Sequence, residues 1–130
     1  MYTMNQMCKK LGMTYETLRF YCDEGLVPNV KRDTNNWRIF DERNLNWLKS
    51  LQCLKRCGMS INDMKKYMNL CLQGISSVTE RKAILGARKD MLLEHINEIQ
   101  ESIAFIDEKQ VFFDNILSGK IEYTSNLIDV

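Results

Sequence analysis

Apolar residues from Met4 to Leu11 recur at helical spacing, and Gly12 interrupts the run where a tight turn would need it. Thr14 can cap a second helix, because its hydroxyl can accept a hydrogen bond from a free backbone N–H group of the first turn. In that helix Leu18 and Tyr21 share one face, Thr17 and Arg19 remain available to a partner, and Gly25 marks the end. The pattern predicts two short helices joined by a turn.

The pattern changes between Val27 and Phe40. Pro28 blocks helix continuation, and strand-like residues at Val30 and at positions 37–40 flank the polar stretch 31–36. This segment predicts a two-stranded hairpin, which needs support from adjacent helices because so small a hairpin is marginal alone.

Two further helices follow. Asp41 opens the third, which ends at Gly58 and carries a stripe of leucines at positions 45, 48, 51 and 54. Ser60 starts the fourth, which runs to about Leu72, and the sequence Ser60-Ile61-Asn62-Asp63 resembles a capping box with Asp in place of Glu.

The longest predicted helix begins at Ser77-Val78-Thr79-Glu80, which fits a capping box, and runs without proline to Gly119. Roughly 40 residues at about 1.5 Å each span about 60 Å, more than a small domain can cover. We therefore expect a partner chain, although one long helix packed on its own domain is the alternative.

The apolar positions of this helix follow a seven-residue repeat of three- and four-residue steps. They are Leu85, Leu92, Ile96, Ile99, Ile103, Ile106, Phe113 and Leu117. Lys89 and Gln110 fill the remaining positions of this seam, where polar residues cost stability but fix the alignment of the strands. The repeat alone leaves a parallel and an antiparallel pairing open.

Charge divides the chain. Residues 1–72 hold 12 Lys/Arg against 7 Asp/Glu (+5), and residues 73–130 hold 6 against 10 (−4). A basic first half suits a polyanionic partner, although ordinary surface scatter is the alternative. No stretch is apolar enough for a membrane span or a signal peptide, so we expect a soluble, cytoplasmic protein.

The stretch from Met13 to Leu26 resembles the start of the MerR family of bacterial transcription regulators. That family begins with a small helix, a Gly-hydrophobic-Ser/Thr turn, then Thr-Leu-Arg-Tyr-Tyr and Glu-Gly-Leu. Here these elements read Met4 to Lys10, Gly12-Met13-Thr14, Thr17-Leu18-Arg19-Phe20-Tyr21 and Glu24-Gly25-Leu26.

The resemblance implies a mainly α fold: a winged helix-turn-helix head with a small β-hairpin wing, then a long dimerisation helix that forms an antiparallel coiled coil. The expected divisions are a DNA-binding domain at 1–75, the coiled-coil helix at 76–119 and a tail at 120–130. It also implies a homodimer that binds a pseudo-palindromic promoter whose −35 to −10 spacer is too long. An inducing signal then makes the dimer bend and untwist this double-stranded DNA, so that RNA polymerase can engage both promoter elements. The polymerase is thus an indirect partner at the promoter.

By the same resemblance, side chains of the second helix and the wing contact DNA. They are Thr14, Tyr15, Glu16, Thr17, Arg19, Tyr21, Lys31, Arg32, Trp37 and Arg38. Glu16 lies where many relatives carry a basic residue, and Asn36 replaces the family's wing glycine, although Asn tolerates positive φ. A structural alternative places Phe20 in the core and Tyr21 partly so.

The five cysteines are odd in number and contain no C-x-x-C pair, so neither a disulfide framework nor a zinc site is expected. The segment from Asn46 to Ile61 resembles a MerR subgroup that responds to aldehydes and other thiol-reactive electrophiles, in which a cysteine occupies the position of Cys53. Cys57 lies one helical turn further on; Lys49, Lys55 and Arg56 would favour a thiolate, whereas the helix C-terminus implied by Gly58 opposes it through the helix dipole. The alternative is that both cysteines are core residues.

Two other classes of protein share parts of this pattern. An architectural DNA-binding protein of the excisionase type can use a similar head but normally lacks a long dimerisation helix, and a coiled-coil adaptor would have no role at DNA. No enzyme and no cofactor are expected, because the lone His95 lies within the long helix and no phosphate loop or nucleophile-base pair occurs.

Overall fold

The computed structural model describes residues 1–130 in two compact units, Met1–Lys89 and Asp90–Val130. The first unit contains strand β1 (Tyr2–Thr3), helices α1 (Met4–Leu11) and α2 (Tyr15–Asp23), strands β2 (Lys31–Arg32) and β3 (Arg38–Phe40), and helices α3 (Glu42–Arg56) and α4 (Ile61–Leu72). A short 3₁₀ helix (Gly74–Ser77) leads into α5 (Val78–Leu117), which continues into the second unit. The mainly α fold predicted from the sequence is confirmed.

The sheet has three antiparallel strands in the order β1-β3-β2, whereas the sequence predicted only the hairpin. Tyr2 pairs with Phe40 and Thr3 with Ile39, so the N-terminus adds a strand to the wing. Thr3 also caps α1, because its side chain accepts from the backbone N–H of Gln6 at 3.2 Å. One short segment thus joins the wing to the first helix.

The predicted helix starts are confirmed at Thr14, Asp41 and Ser60, whose side chains each accept a backbone N–H three residues later. At Asp41 the bond is reciprocal, since Asn44 Oδ1 accepts from the Asp41 N–H at 3.0 Å. At Ser60 only the forward bond forms, from the Asp63 N–H at 3.1 Å.

The capping box predicted at Ser77 is wrong. The Ser77 hydroxyl donates to the carbonyl oxygens of Leu70 and Gly74 and accepts from Arg81 Nε at 3.1 Å. The physical reason is the 3₁₀ helix that precedes α5. Its Ile75 carbonyl accepts from the Val78 N–H, so the backbone is already helical before α5 and Ser77 does not act as a cap. Ser77 is 2% exposed and closes the junction between α4 and α5.

The core lies in the first unit, between α1, α2, the sheet, α3 and α4. All four leucines of the predicted stripe of α3 are buried within it. The core residues are Met4, Met7, Leu11, Leu18, Tyr21, Leu26, Val27, Phe40, Leu45, Leu48, Leu51, Leu54, Met59 and Met64. Trp47 of α3 extends this packing, and its Nε1 donates to the carbonyl oxygen of Leu26 at 2.7 Å just beyond α2.

Helix α5 buries no residue along its 40 positions. All eight apolar residues of the predicted seam are exposed, from 37% at Leu92 to 85% at Leu117. The helix ends before Gly119, whose φ of 79° lies in the left-handed region that favours glycine. None of the helices combines the length and apolar content that a membrane span requires.

Candidate nucleic-acid interface

The turn between α1 and α2 sets the first exposed side chains of α2. Gly12 has a φ of 61°, and the Met13 N–H donates to Cys8 O at 3.0 Å. The Thr14 hydroxyl then accepts from the Thr17 N–H at 3.2 Å and lies 2.8 Å from the Thr17 hydroxyl. Both threonine hydroxyls therefore stabilise the start of α2.

The outer face of α2 is polar and open. Tyr15 is 42% exposed, Glu16 is exposed, and the Arg19 side chain is 65% exposed, while Thr17 is half-buried. Glu16 lies in the first turn of the helix, where its carboxylate interacts favourably with the helix dipole. This gives a structural reason for an acid on an otherwise DNA-compatible face.

The structure corrects two expectations on α2. Tyr21, predicted to contact DNA, is 1% exposed and belongs to the core, whereas Phe20, expected in the core, is 45% exposed. Leu18 and Tyr21 are three residues apart and so share the buried face of α2, while Phe20 is rotated about 100° from Tyr21. Tyr21 is therefore a core residue and is removed from the residues predicted to contact DNA.

The wing presents its basic residues on two short strands. Lys31 pairs with Ile39 and Arg32 with Arg38 across the hairpin, and Lys31 and Arg32 are both exposed. Trp37 is 64% exposed and lies immediately before β3.

The tip of the wing is held by Asp33. Its carboxylate accepts from the backbone N–H groups of Asn35 at 2.9 Å and Trp37 at 3.0 Å. Asn36 has a φ of 62°, so this asparagine adopts the conformation that the family's glycine would take more easily. Arg32 Nη1 also donates to Asn36 O at 2.9 Å, so hydrogen bonds from both Asp33 and Arg32 hold the tip in place.

A cleft of about 320 Å³ brings the side chains of α2 and the wing together. Its lining comprises Met4, Tyr15, Arg19, Asp23, Arg32, Asn36, Trp37 and Arg38. Five of these residues were predicted from the sequence to contact DNA, and three of the five are arginines.

Asp23 was not among the predicted residues. Its carboxylate forms an ion pair with Arg38 at 2.7 Å and a longer one with Arg19 at 3.6 Å. The four-residue spacing of Arg19 and Asp23 was a visible signal in the sequence, but the contact with Arg38 depends on the docking of the wing.

Cys53 is exposed on α3. Arg56 Nη2 donates to its Sγ at 3.5 Å, and the thiol lies at a surface pocket of about 330 Å³. The other residues lining this pocket are Lys49, Ser50, Leu54, Tyr67 and Leu85. Cys53 is therefore not a core residue of the single chain. Cys57 follows the last residue of α3 and is half-buried.

The other three cysteines are half-buried, and all five are free. Burial raises the pKa of the Cys22 thiol, with the Arg38 charge acting in the opposite direction. Burial also raises the pKa of Cys8, and the charge of Glu16 adds to this effect. Neither thiol is therefore primed for reaction at neutral pH.

Comparisons with known proteins agree with this architecture. Residues 2–71 match the MerR HTH family regulatory proteins. An HTH-type transcriptional regulator of Haemophilus influenzae, itself uncharacterised, is 35% identical over 112 residues, which span 86% of this chain and 83% of that protein. The regulator AdhR of Bacillus subtilis is 36% identical over 89 residues, which span 68% of this chain and 64% of AdhR.

Among solved structures, that of HiNmlR, described as a MerR family regulator lacking the sensor domain and bound to promoter DNA, is similar to this chain. The TM-score is 0.77 at 33% sequence identity, over 90% of this chain and 89% of that one. The chain belongs to the MerR family. It is a DNA-binding transcriptional regulator and not an enzyme.

Proposed function

We propose that this regulator binds promoter DNA through one joint surface formed by α2 and the wing. The observation that carries the proposal is the shared cleft, in which Tyr15 and Arg19 of α2 and Arg32, Trp37 and Arg38 of the wing line the same 320 Å³ space. Exposed guanidinium groups of two elements can donate hydrogen bonds to one stretch of phosphate backbone, because each guanidinium has five N–H donors.

Within this surface the roles divide by position. Phosphates are contacted by the basic side chains Arg19, Lys31, Arg32 and Arg38. Trp37 of the wing packs against the sugar-phosphate backbone of the DNA. In the first turns of α2, side chains face the base edges of the major groove, in keeping with the helix-turn-helix docking mode. These are Thr14, Tyr15, Glu16 and Thr17.

We further propose that the regulator is a homodimer joined through α5 as an antiparallel coiled coil. Support comes from the exposure of every apolar seam residue on a helix of 40 residues that buries none of them. Such a seven-residue repeat is satisfied by a second helix with the same repeat. The divisions proposed for this arrangement are a DNA-binding domain at 1–75, a coiled-coil helix at 76–119 and a tail at 120–130.

The dimer would act on a promoter with an overlong spacer, distorting the DNA so that RNA polymerase engages both promoter elements. Family membership supports this step, and deformation energy makes the switch dependent on the shape that the dimer imposes. The inducing signal is proposed to be a thiol-reactive electrophile that adds to Cys53. Its exposure, the neighbouring Arg56 and the adjoining pocket support this choice.

Two experiments test the proposal. Selection from randomised duplexes should yield a pseudo-palindromic operator for the purified protein, and failure to enrich any sequence would contradict sequence-specific binding. A reporter driven by the native promoter should respond to an aldehyde or quinone with wild type and Cys57→Ser, and lose the response with Cys53→Ser. A response that survives both substitutions would contradict thiol sensing.

A further inference from the structure

Asp23 is the one acidic residue lining the cleft between α2 and the wing. Its two carboxylate oxygens reach different elements: Oδ1 lies 2.7 Å from Arg38 Nη2 of the wing, and Oδ2 lies 3.6 Å from Arg19 Nε of the same helix. The carboxylate therefore joins two arginines that the proposed function places on DNA phosphates.

We propose that Asp23 is a specificity-determining residue, which positions Arg19 and Arg38 for the operator and lowers the affinity for other DNA. This inference rests on the proposed phosphate contacts of these two arginines. Asp23 itself touches no DNA in this proposal and acts through the arginines.

The positioning effect follows from the donor count of the guanidinium group. Asp23 accepts one N–H of Arg38 at 2.7 Å, which leaves four donors of that group for other acceptors, while Arg19 at 3.6 Å is held by charge alone and keeps all five donors. The Arg38 side chain is 21% exposed and so held closely, whereas Arg19 is 65% exposed. Holding Arg38 before binding, and drawing Arg19 toward the same carboxylate, reduces the entropy that a well-docked complex must lose.

The negative charge of Asp23 has the opposite effect to positioning, because it lowers the affinity for every DNA sequence. Arg19, Arg32 and Arg38 bring three positive charges to the cleft, and Asp23 reduces the sum to +2. Non-specific binding depends almost entirely on such charge, so one carboxylate weakens it without any compensating gain. On the operator, base contacts of α2 fix the register of the phosphates, so guanidinium groups that are already positioned offset that loss. A non-specific complex has no fixed register and gains less from the positioning, and the difference between the two complexes is specificity.

Glu24 provides a matched control. It is the next residue in the chain, its carboxylate pairs with Lys65 of α4 at 2.8 Å, and it does not line the cleft. Glu24→Gln and Asp23→Asn change the net charge of the protein equally, but only the second alters the charge between α2 and the wing.

The experiment compares wild type, Asp23→Asn and Glu24→Gln on the operator selected from randomised duplexes and on a shuffled duplex of the same composition and length. Asp23→Asn should raise affinity for the shuffled duplex by about threefold to tenfold, as expected from one surface charge contact, and should raise operator affinity less or lower it. The ratio of the two affinities should therefore fall, while Glu24→Gln leaves the ratio at the wild-type value. An unchanged ratio, which includes an equal rise in affinity for both duplexes, would overturn the role of Asp23. The same fall in the ratio with Glu24→Gln would also overturn it.

Arg38→Ala separates this inference from the proposed function. If the arginine makes a phosphate contact, Arg38→Ala weakens binding to both duplexes in the wild-type background, and its effect on operator affinity should be smaller in the Asp23→Asn background because the arginine is no longer positioned. Weaker binding with Arg38→Ala together with an equal effect in both backgrounds overturns only the role of Asp23. Unchanged binding with Arg38→Ala contradicts the phosphate contact itself, and the role of Asp23 fails with it.

Discussion

Gln52 Nε2 donates a 2.7 Å hydrogen bond to the carbonyl oxygen of Leu11. Leu11 is the last residue of α1, and Gln52 lies in α3, so the bond satisfies a helix-end carbonyl at the point where the chain turns toward α2, the helix proposed to contact DNA. The α3 helix therefore supports the turn as well as the core beneath it.

We expect Gln52→Ala to lower the free energy of unfolding by about 1–2 kcal/mol, because the Leu11 carbonyl loses its partner in a partly buried setting. The measurement is urea unfolding at one fixed protein concentration, since a dimer's stability depends on concentration. Ser50→Ala on the same helix removes only an exposed 3.3 Å bond to Asn46 O and should change little. Equal stability of both variants would contradict a supporting role for Gln52.

Arg19→Ala and Arg38→Ala should each weaken binding on every DNA sequence, because a phosphate contact carries no sequence information. Each loss should also reduce the dependence of log affinity on log salt by about 0.9 per phosphate contact. Changes at Tyr15 or Glu16 should instead alter which operators are selected. Full affinity in Arg19→Ala would show that the proposed pose of α2 is wrong.

Much of the head could be predicted from local sequence signals. Thr14, Asp41 and Ser60 are caps whose partners lie three residues away, and the α3 leucines show their periodicity directly. These features depend on contacts within one turn or one helix face, which a linear sequence displays.

Other features depended on distant contacts and could not be predicted. Strand β1 consists of Tyr2 and Thr3, too short for any pattern, and exists because β3 pairs with it from nearly 40 residues away. The face shared by Leu18 and Tyr21 was visible in their spacing, but the 45% exposure of Phe20 depends on how the core surrounds α2. The ion pair of Asp23 with Arg38 needs the docked wing for the same reason.

Alkylation should distinguish the thiols. Cys53 is exposed and should react with iodoacetamide before the half-buried Cys22 and Cys8. Because burial raises the pKa of Cys22, its thiolate fraction at neutral pH is below that of an ordinary thiol, so its rate should keep rising at pH values where an ordinary thiol levels off. Peptide mass spectrometry over a pH series provides the rates. Faster labelling of Cys22 than of Cys53 at neutral pH would argue against Cys53 as the sensing thiol.

Replacing Ile99 and Ile103 together with Asp should convert the proposed dimer to monomers, because two carboxylates would enter the apolar seam. Asn97→Asp with Ala104→Asp adds the same charge to exposed positions of α5 outside the seam and should leave the dimer intact. Sedimentation equilibrium measures both. Dimers of undiminished stability in the first variant would place the interface elsewhere.

The central claim is that two heads joined through α5 bind one operator, and the mass of the protein complex with the selected operator duplex tests it most directly. Native mass spectrometry of wild type should give two chains per duplex, and the Ile99→Asp/Ile103→Asp variant should give no stable complex at the same concentration. One chain per duplex for the wild type, or full operator affinity in the monomeric variant, would contradict the claim.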